Sequence, residues 1–417
     1  MPIIIPFRAL RPAKRYVEQV AAYPYDVLEE SEARKIAGRN PRSFLRVEKS
    51  EINLPPGTNL EDEMILTAAR DNLQQLIKEK ILFLEEKPCY YVYGQKKGDH
   101  TQFGIAGGVS IDDYEAGNIK RHELTRPDKE RERVRNIEAA NANTGLVFLV
   151  YRAKDAIDRL VEEIVREDPE YDFIFENGVR HRVWTVKGES KIEAIRQAFL
   201  GIRTLYIADG HHRAAAAAAV ARRRRSNNPG HKGTEEYNYF LAVSFPDNQV
   251  RIMDYNRIVK DLNGLTEEEL ISRIERNFSV SADFKDKSPS RPHETGMYLN
   301  GKWYRLKARM EGLGSGDRLE TLDVRLLQDY LLNPILGIRD PRTDQRIKFI
   351  GGIRGVAELE RLVDSGEAAI AFSMYPPSVK DLMEIADSGQ MMPPKSTWFE
   401  PKLLSGLLVH PLGQMGQ

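Results

Sequence analysis

Asp209-Gly210-His211-His212-Arg213 sets an acid, a glycine, two histidines and an arginine between the apolar run 205–208 and the alanine stretch 214–219. An apolar strand that ends this way and continues into a strong helix former brings the N–H groups of a helix start among side-chain cations, which is a place to hold a phosphate. Gly210 lets the chain turn sharply and a ligand approach the backbone, while the first-turn amides and the helix dipole favour an anion. His211, His212 and Arg213 are expected to add charge-assisted hydrogen bonds, and Asp209 to hold a divalent cation that bridges phosphate oxygens. The same residues also read as a helix cap with a solvated basic start. Adjacent histidines on a helix point about 100° apart, which speaks against a structural zinc site.

Two other groups carry chemistry. In Lys120-Arg121-His122-Glu123-Leu124-Thr125, a carboxylate lies among a histidine and basic residues. Nearby cations keep such a group ionised, so Glu123 is a candidate general base, although charge-rich segments such as 126–135 are mostly solvated faces. Near the end, Pro393-Pro394-Lys395-Ser396-Thr397-Trp398 joins a stiff turn to a lysine and two hydroxyls. That loop presents donors suited to a phosphate or carboxylate, or serves as a structural turn. Phe349-Ile350-Gly351-Gly352-Ile353-Arg354-Gly355 is a glycine-rich strand-to-helix turn that reads first as structural and second as a further anion contact.

These residues need elements to position them. A helix is expected over 60–80 from its apolar spacing, and strands over 90–93 and 102–111 joined by Lys96-Lys97-Gly98-Asp99. A charged helix over 128–140, a buried strand over 145–151 and a helix over 156–166 follow. Asn177-Gly178 and Asn300-Gly301 mark hairpins. Ser190 with Glu193 has the pattern of a capping box, and a capped helix is expected from Thr266 to Phe278. The run Arg222 to Arg225 reads as a solvated helix end that complements the dipole. Division into an N-terminal α/β domain (1–114), a core (115–255) and a C-terminal α/β domain (256–417) accounts for the pattern.

The 417 residues carry 62 basic and 62 acidic side chains, so no global field draws the protein to nucleic acid or anionic membrane. Its single cysteine, Cys89, excludes an internal disulfide and a cysteine-based metal cluster, which suits a reducing cytosol. No stretch approaches the length of a membrane span, so a cytoplasmic protein is expected, with a homodimer as the default for its size.

Taken together, Ala22-Tyr23-Pro24-Tyr25-Asp26-Val27, Asn40-Pro41, Arg46-Val47, Lys120 to Thr125, Asp209 to Arg213, Gly351 to Arg354 and Pro393 to Thr397 resemble a prokaryotic family of unknown function that carries the Asp-Gly-His-His-Arg signature. That family is similar in its core to ParB and sulfiredoxin-like nucleotide-binding proteins, and within the group to free-serine kinases. The resemblance implies a mixed α/β (α+β) fold with a ParB/sulfiredoxin-like nucleotide-binding core and N- and C-terminal α/β additions. It implies transfer of phosphate from ATP or ADP, with magnesium, to the hydroxyl of L-serine. Glu123 would be the base beside His122; Asp209, Gly210, His211, His212 and Arg213 would hold the nucleotide phosphates, with Asp209 on the metal; Lys395, Ser396 and Thr397 would anchor substrate. Alternatives are a ParB-like nucleotide-binding regulatory protein that phosphorylates no acceptor, and a kinase for another small alcohol or amino acid. Sulfiredoxin chemistry is excluded because the loop has no cysteine, and DNA binding is disfavoured by the neutral charge.

Overall fold

The computed structural model describes residues 1–59, 61–310 and 317–413. The fold is mixed α/β, and the chain divides into two units. The first comprises residues 1–121, 125–250 and 401–417, and the second residues 122–124 and 251–400.

The first unit grows from the hairpin of Tyr90–Lys97 and His100–Ser110, whose register pairs Lys97 with His100 and Tyr91 with Ala106. The first strand runs past the expected 90–93, because polar Gln95 is buried and hydrogen-bonded to Gln102 at 2.9 Å, while the second, expected over 102–111, starts two residues earlier and ends at Ser110. Among the described residues nine strands, the hairpin included, form this sheet. From one edge the order is Ile119–Lys120, Leu205–Asp209, Val147–Tyr151, Tyr239–Pro246, the hairpin, Arg180–Val186 and Tyr171–Ile174, with Ile4–Ile5 added on His100–Ser110. Residues on both sides of position 114 therefore share one sheet, through pairs such as Gly107 with Ala242.

Two helices, Pro127–Ala140 and His211–Ser226, pack together beside this sheet. Residues 214–218 are all alanine and all buried, so the second helix approaches its neighbours closely and fills its core with backbone rather than side chain. Arg222 to Arg225 do more than face solvent: Arg222 pairs with Glu115 at 2.6 Å, Arg224 with Glu138 at 2.8 Å and Arg225 with Asp112 at 2.6 Å. The helix expected from residue 60 runs Glu63–Lys78, residue 60 itself lying outside the described residues. The capping box expected at Ser190 does not form. Gly188 caps Glu189–Phe199, which places Ser190 inside the first turn, and Glu193 turns to Arg196 at 2.8 Å and Gln197 at 2.7 Å.

The second unit is built on an antiparallel sheet ordered Phe278–Ala282, Lys302–Ala308, Glu294–Leu299, Ile370–Met374, Tyr255–Val259 and Ile347–Gly351. Asn300 and Gly301 both have positive φ, 46° and 76°, as the tight turn between Glu294–Leu299 and Lys302–Ala308 requires. The Thr266 capping box forms with both bonds, Glu269 N to Thr266 Oγ1 at 3.3 Å and Thr266 N to the Glu269 carboxylate at 3.0 Å. Its helix, Glu267–Ile274, stops short of Phe278 because that residue begins a strand. Leu359 and Leu362 of Gly355–Asp364 cover Ile258, Tyr298 and Ala371 of the sheet. Among the described residues no helix is long and apolar enough to cross a membrane.

Candidate functional site

In the first unit the Asp209 to Arg213 segment is positioned by a break in strand register. Leu205–Asp209 pairs Ile207 with Leu149 but Asp209 with Phe148, so one extra residue is inserted. A bulge of this kind bends the strand and re-aims the side chain beyond it, here Asp209. Gly210 follows with φ of 96°, and a Cβ there would meet the Val147 Cα at 3.3 Å, so the turn requires glycine. Gly210 is the N-cap of His211–Ser226, and no side chain caps that helix.

The side chains then part company. Arg213 points inward: its Nη2 donates to both carboxylate oxygens of Asp26 at 2.9 Å and its Nη1 to the Leu146 carbonyl at 2.6 Å. Burial alone would lower the Arg213 pKa, but Asp26 and then Asp209 outweigh it and hold the guanidinium above its ordinary value. The expected reach of Arg213 to a phosphate is thus not the arrangement found, because a complete acid partner occupies its fork. Around it lies a small cavity lined by both polar and apolar side chains. Arg133 lies over the Tyr25 ring at 3.8 Å and 3.8 Å from the Glu48 carboxylate. A cavity of about 20 Å³ lies here, and Glu48 Oε1, Arg133 Nε and Arg213 Nε are buried without protein partners, which is room and polarity for one water.

Asp209 carries a cation that the sequence did not announce. Lys402 Nζ donates to its Oδ2 at 3.1 Å, while Gln95 Nε2 binds the Lys402 carbonyl at 2.9 Å. Burial raises the Asp209 pKa, but Lys402 and then Arg213 outweigh it, so the carboxyl is held well below the usual range. The Lys402 ammonium occupies Oδ2 of this carboxylate, so a magnesium ion held directly by Asp209 would be left its Oδ1. His212 Nε2 accepts the N–H of Arg126 at 2.9 Å, a contact that needs the neutral ring, so His212 as placed supplies a dipole rather than a charge.

In the second unit, His122 is buried, and its Nε2 shares a hydrogen bond with Thr397 Oγ1 at 3.2 Å. Its carbonyl accepts from Met392 N at 2.8 Å, which fixes Glu123 in a half-buried loop beside it. Ser396 Oγ donates to the Pro393 carbonyl at 2.6 Å and so closes the proline turn. Lys395 has φ of 56°, and its ammonium lies 5.8 Å from the Tyr255 ring centroid. Gly351 packs under the Trp398 ring, where a Cβ would come within 2.9 Å of it, which bears out the structural reading of that glycine pair.

Three side chains of these sites escaped the sequence reading. Asp26 lies in the quoted motif around Tyr25, which was signal enough to suspect it. Lys402 is a lone cation in a largely apolar segment, and Arg257, whose Nη2 binds the Lys395 carbonyl at 3.2 Å, lies between Asn256 and Lys260; neither carries a motif.

The family model described as protein of unknown function (DUF1015) matches residues 4–325. No curated protein matches the chain. Among solved structures, a conserved hypothetical protein from Pyrococcus furiosus is 13% identical with a TM-score of 0.36, covering 74% of this chain and 95% of its own. SbnI with a C-terminal truncation, from Staphylococcus aureus, is 12% identical with a TM-score of 0.39, covering 74% and 87%. A free serine kinase in complex with AMP is 14% identical with a TM-score of 0.35, covering 71% and 86%.

Proposed function

We propose that this chain, which belongs to the DUF1015 family of proteins of unknown function, is a small-molecule kinase that phosphorylates the hydroxyl of free L-serine from ATP or ADP. The observation that carries the reading is the first unit's strand end: a left-handed Gly210 opening an uncapped helix, next to an ammonium held on Asp209. Helix-start amides and a positioned cation are what a transferring phosphate needs, since phosphoryl transfer is governed mainly by position and charge neutralisation. The order of the His122-Glu123, Asp209 to Arg213 and Lys395 to Thr397 motifs supports the same reading.

In this mechanism the nucleotide phosphates sit at the amides of Gly210, His211 and His212, with Lys402 as the cation and Asp209 as its holder. Glu123 takes the proton of the acceptor hydroxyl as its oxygen bonds to the terminal phosphorus. The bond from that phosphorus to the bridging oxygen breaks, and the leaving nucleotide keeps the electron pair. Lys395 and Thr397 hold the acceptor, while Arg213 holds the fold beneath.

The test is ³¹P NMR of the protein with ATP or ADP and L-serine, against a panel of other hydroxyl compounds. A phosphomonoester with L-serine is expected. Glu123→Gln should bind nucleotide as before and lose turnover by about 10²–10⁴-fold. Nucleotide binding with no ester from any acceptor would overturn the kinase reading in favour of a regulatory one.

A further inference from the structure

Arg257 lies within the strand Tyr255–Val259, paired on one side with Ile347–Gly351 and on the other with Ile370–Met374. It is 3% exposed. Its Nη1 donates to the Tyr255 carbonyl and its Nη2 to the Lys395 carbonyl, and its guanidinium lies 5.4 Å from the Phe349 ring centroid. Among the described residues no carboxylate pairs with it. Other arginines of this unit are treated differently: Arg325 meets Asp329 at 2.7 Å, and Arg361 meets Glu358 at 2.8 Å and Glu367 at 2.9 Å.

Two neutral carbonyls do not replace a counter-ion, and a buried charge without one is costly. Burial draws the guanidinium down to about 10, which still leaves it charged at neutral pH. The carbonyl it holds is that of Lys395, so a second cation stands on the same loop, in a left-handed conformation fixed from below. A planar guanidinium fork is a donor set that recognises an oxyanion.

We propose that Arg257, beside the Lys395 loop, forms an oxyanion site in the second unit, and that the counter-ion Arg257 lacks is the carboxylate or phosphate of a ligand. An amino-acid acceptor brings the first and a nucleotide or phosphorylated product the second. Only the source of the anion rests on the kinase reading.

The test follows the guanidinium itself by NMR of protein labelled with ¹⁵N-arginine, with the Arg257 signal assigned by its loss in Arg257→Lys. Titration uses inorganic phosphate, L-serine and, as a control without a carboxylate, L-serinamide. A saturable shift with phosphate identifies a phosphate site, and one with L-serine but not L-serinamide identifies a carboxylate site. A signal that none of the probes moves in the folded protein overturns the proposal. Repeating a phosphate response in Lys402→Met separates the units: a shift that persists is local and supports the site, and one that disappears overturns it. If the signal titrates but no phosphate ester ever forms, the oxyanion site stands and the kinase reading falls.

Discussion

Arg213 in the first unit and Arg257 in the second are buried to a similar degree, at 8% and 3% exposure, yet they meet opposite surroundings. Arg213 has both oxygens of Asp26 and a carbonyl, and its pKa is held above the ordinary value against burial. Arg257 has carbonyls alone, and burial pulls its pKa down. A buried arginine with a complete acid partner is part of the architecture, whereas one held by carbonyls alone is what we propose as a site for an anion. The signature arginine of the Asp-Gly-His-His-Arg segment is thus the one that has an acid partner within the fold.

Breaking the complete pair should have the largest effect. Asp26→Asn leaves Arg213 buried with its charge uncompensated, for an expected loss of about 2–3 kcal/mol, below the usual figure for a fully buried pair because Asp26 is 36% exposed. Urea unfolding monitored through Trp184, after Trp303→Phe and Trp398→Phe, reports on the first unit. The double variant Asp26→Asn/Arg213→Met should recover part of the loss, and an unchanged midpoint in Asp26→Asn would put Arg213 in the same class as Arg257.

How much of this was legible follows from where each partner lies in the chain. The Gly210 turn, the Asn300-Gly301 hairpin and the Thr266 capping box are set by residues within a turn of one another, and each forms as the local pattern suggests. Arg213 needed Asp26, 187 residues away, and Asp209 needed Lys402, 193 residues away, so neither partner is written in the local pattern. Arg133 shows the same limit inside one helix. Its neighbours Arg131 and Glu132 are typical of a solvated face, but position 133 shares a stripe with buried Asn136, Ile137 and Ala140, and only that packing turns it inward. Ser190 failed as a cap because Gly188, two residues earlier, starts the helix first, a choice between nearby cap candidates that propensity does not decide.

Removing the cation from Asp209 sharpens the comparison at an intermediate scale. Lys402→Met should cost about 1–2 kcal/mol at neutral pH, because Asp209 keeps Arg213 and His211 nearby. The pH dependence has a definite sign. The folded pKa of Asp209 lies below its ordinary value of 3.8, so its contribution is present above that value and is lost as pH falls below it. Melting temperatures from neutral pH into the acid range should therefore fall less steeply below about pH 4 in Lys402→Met than in the wild type. Equal acid slopes would mean that Lys402 does not set the ionisation of Asp209.

The smallest effect is expected where the burial is deepest. Arg257→Met removes two hydrogen bonds to carbonyls, worth about 1 kcal/mol each, but also removes a buried charge with no acid partner, and these terms offset. Stability of the second unit, followed through Trp303 and Trp398 after Trp184→Phe, should stay within about 1 kcal/mol of the parent. Stabilisation of that unit by added phosphate or by L-serine should disappear in the same variant, since a ligand that binds only the folded state raises stability in proportion to its occupancy. A loss of several kcal/mol on Arg257→Met would mean that the native protein already compensates the charge, and the distinction between the two arginines would collapse.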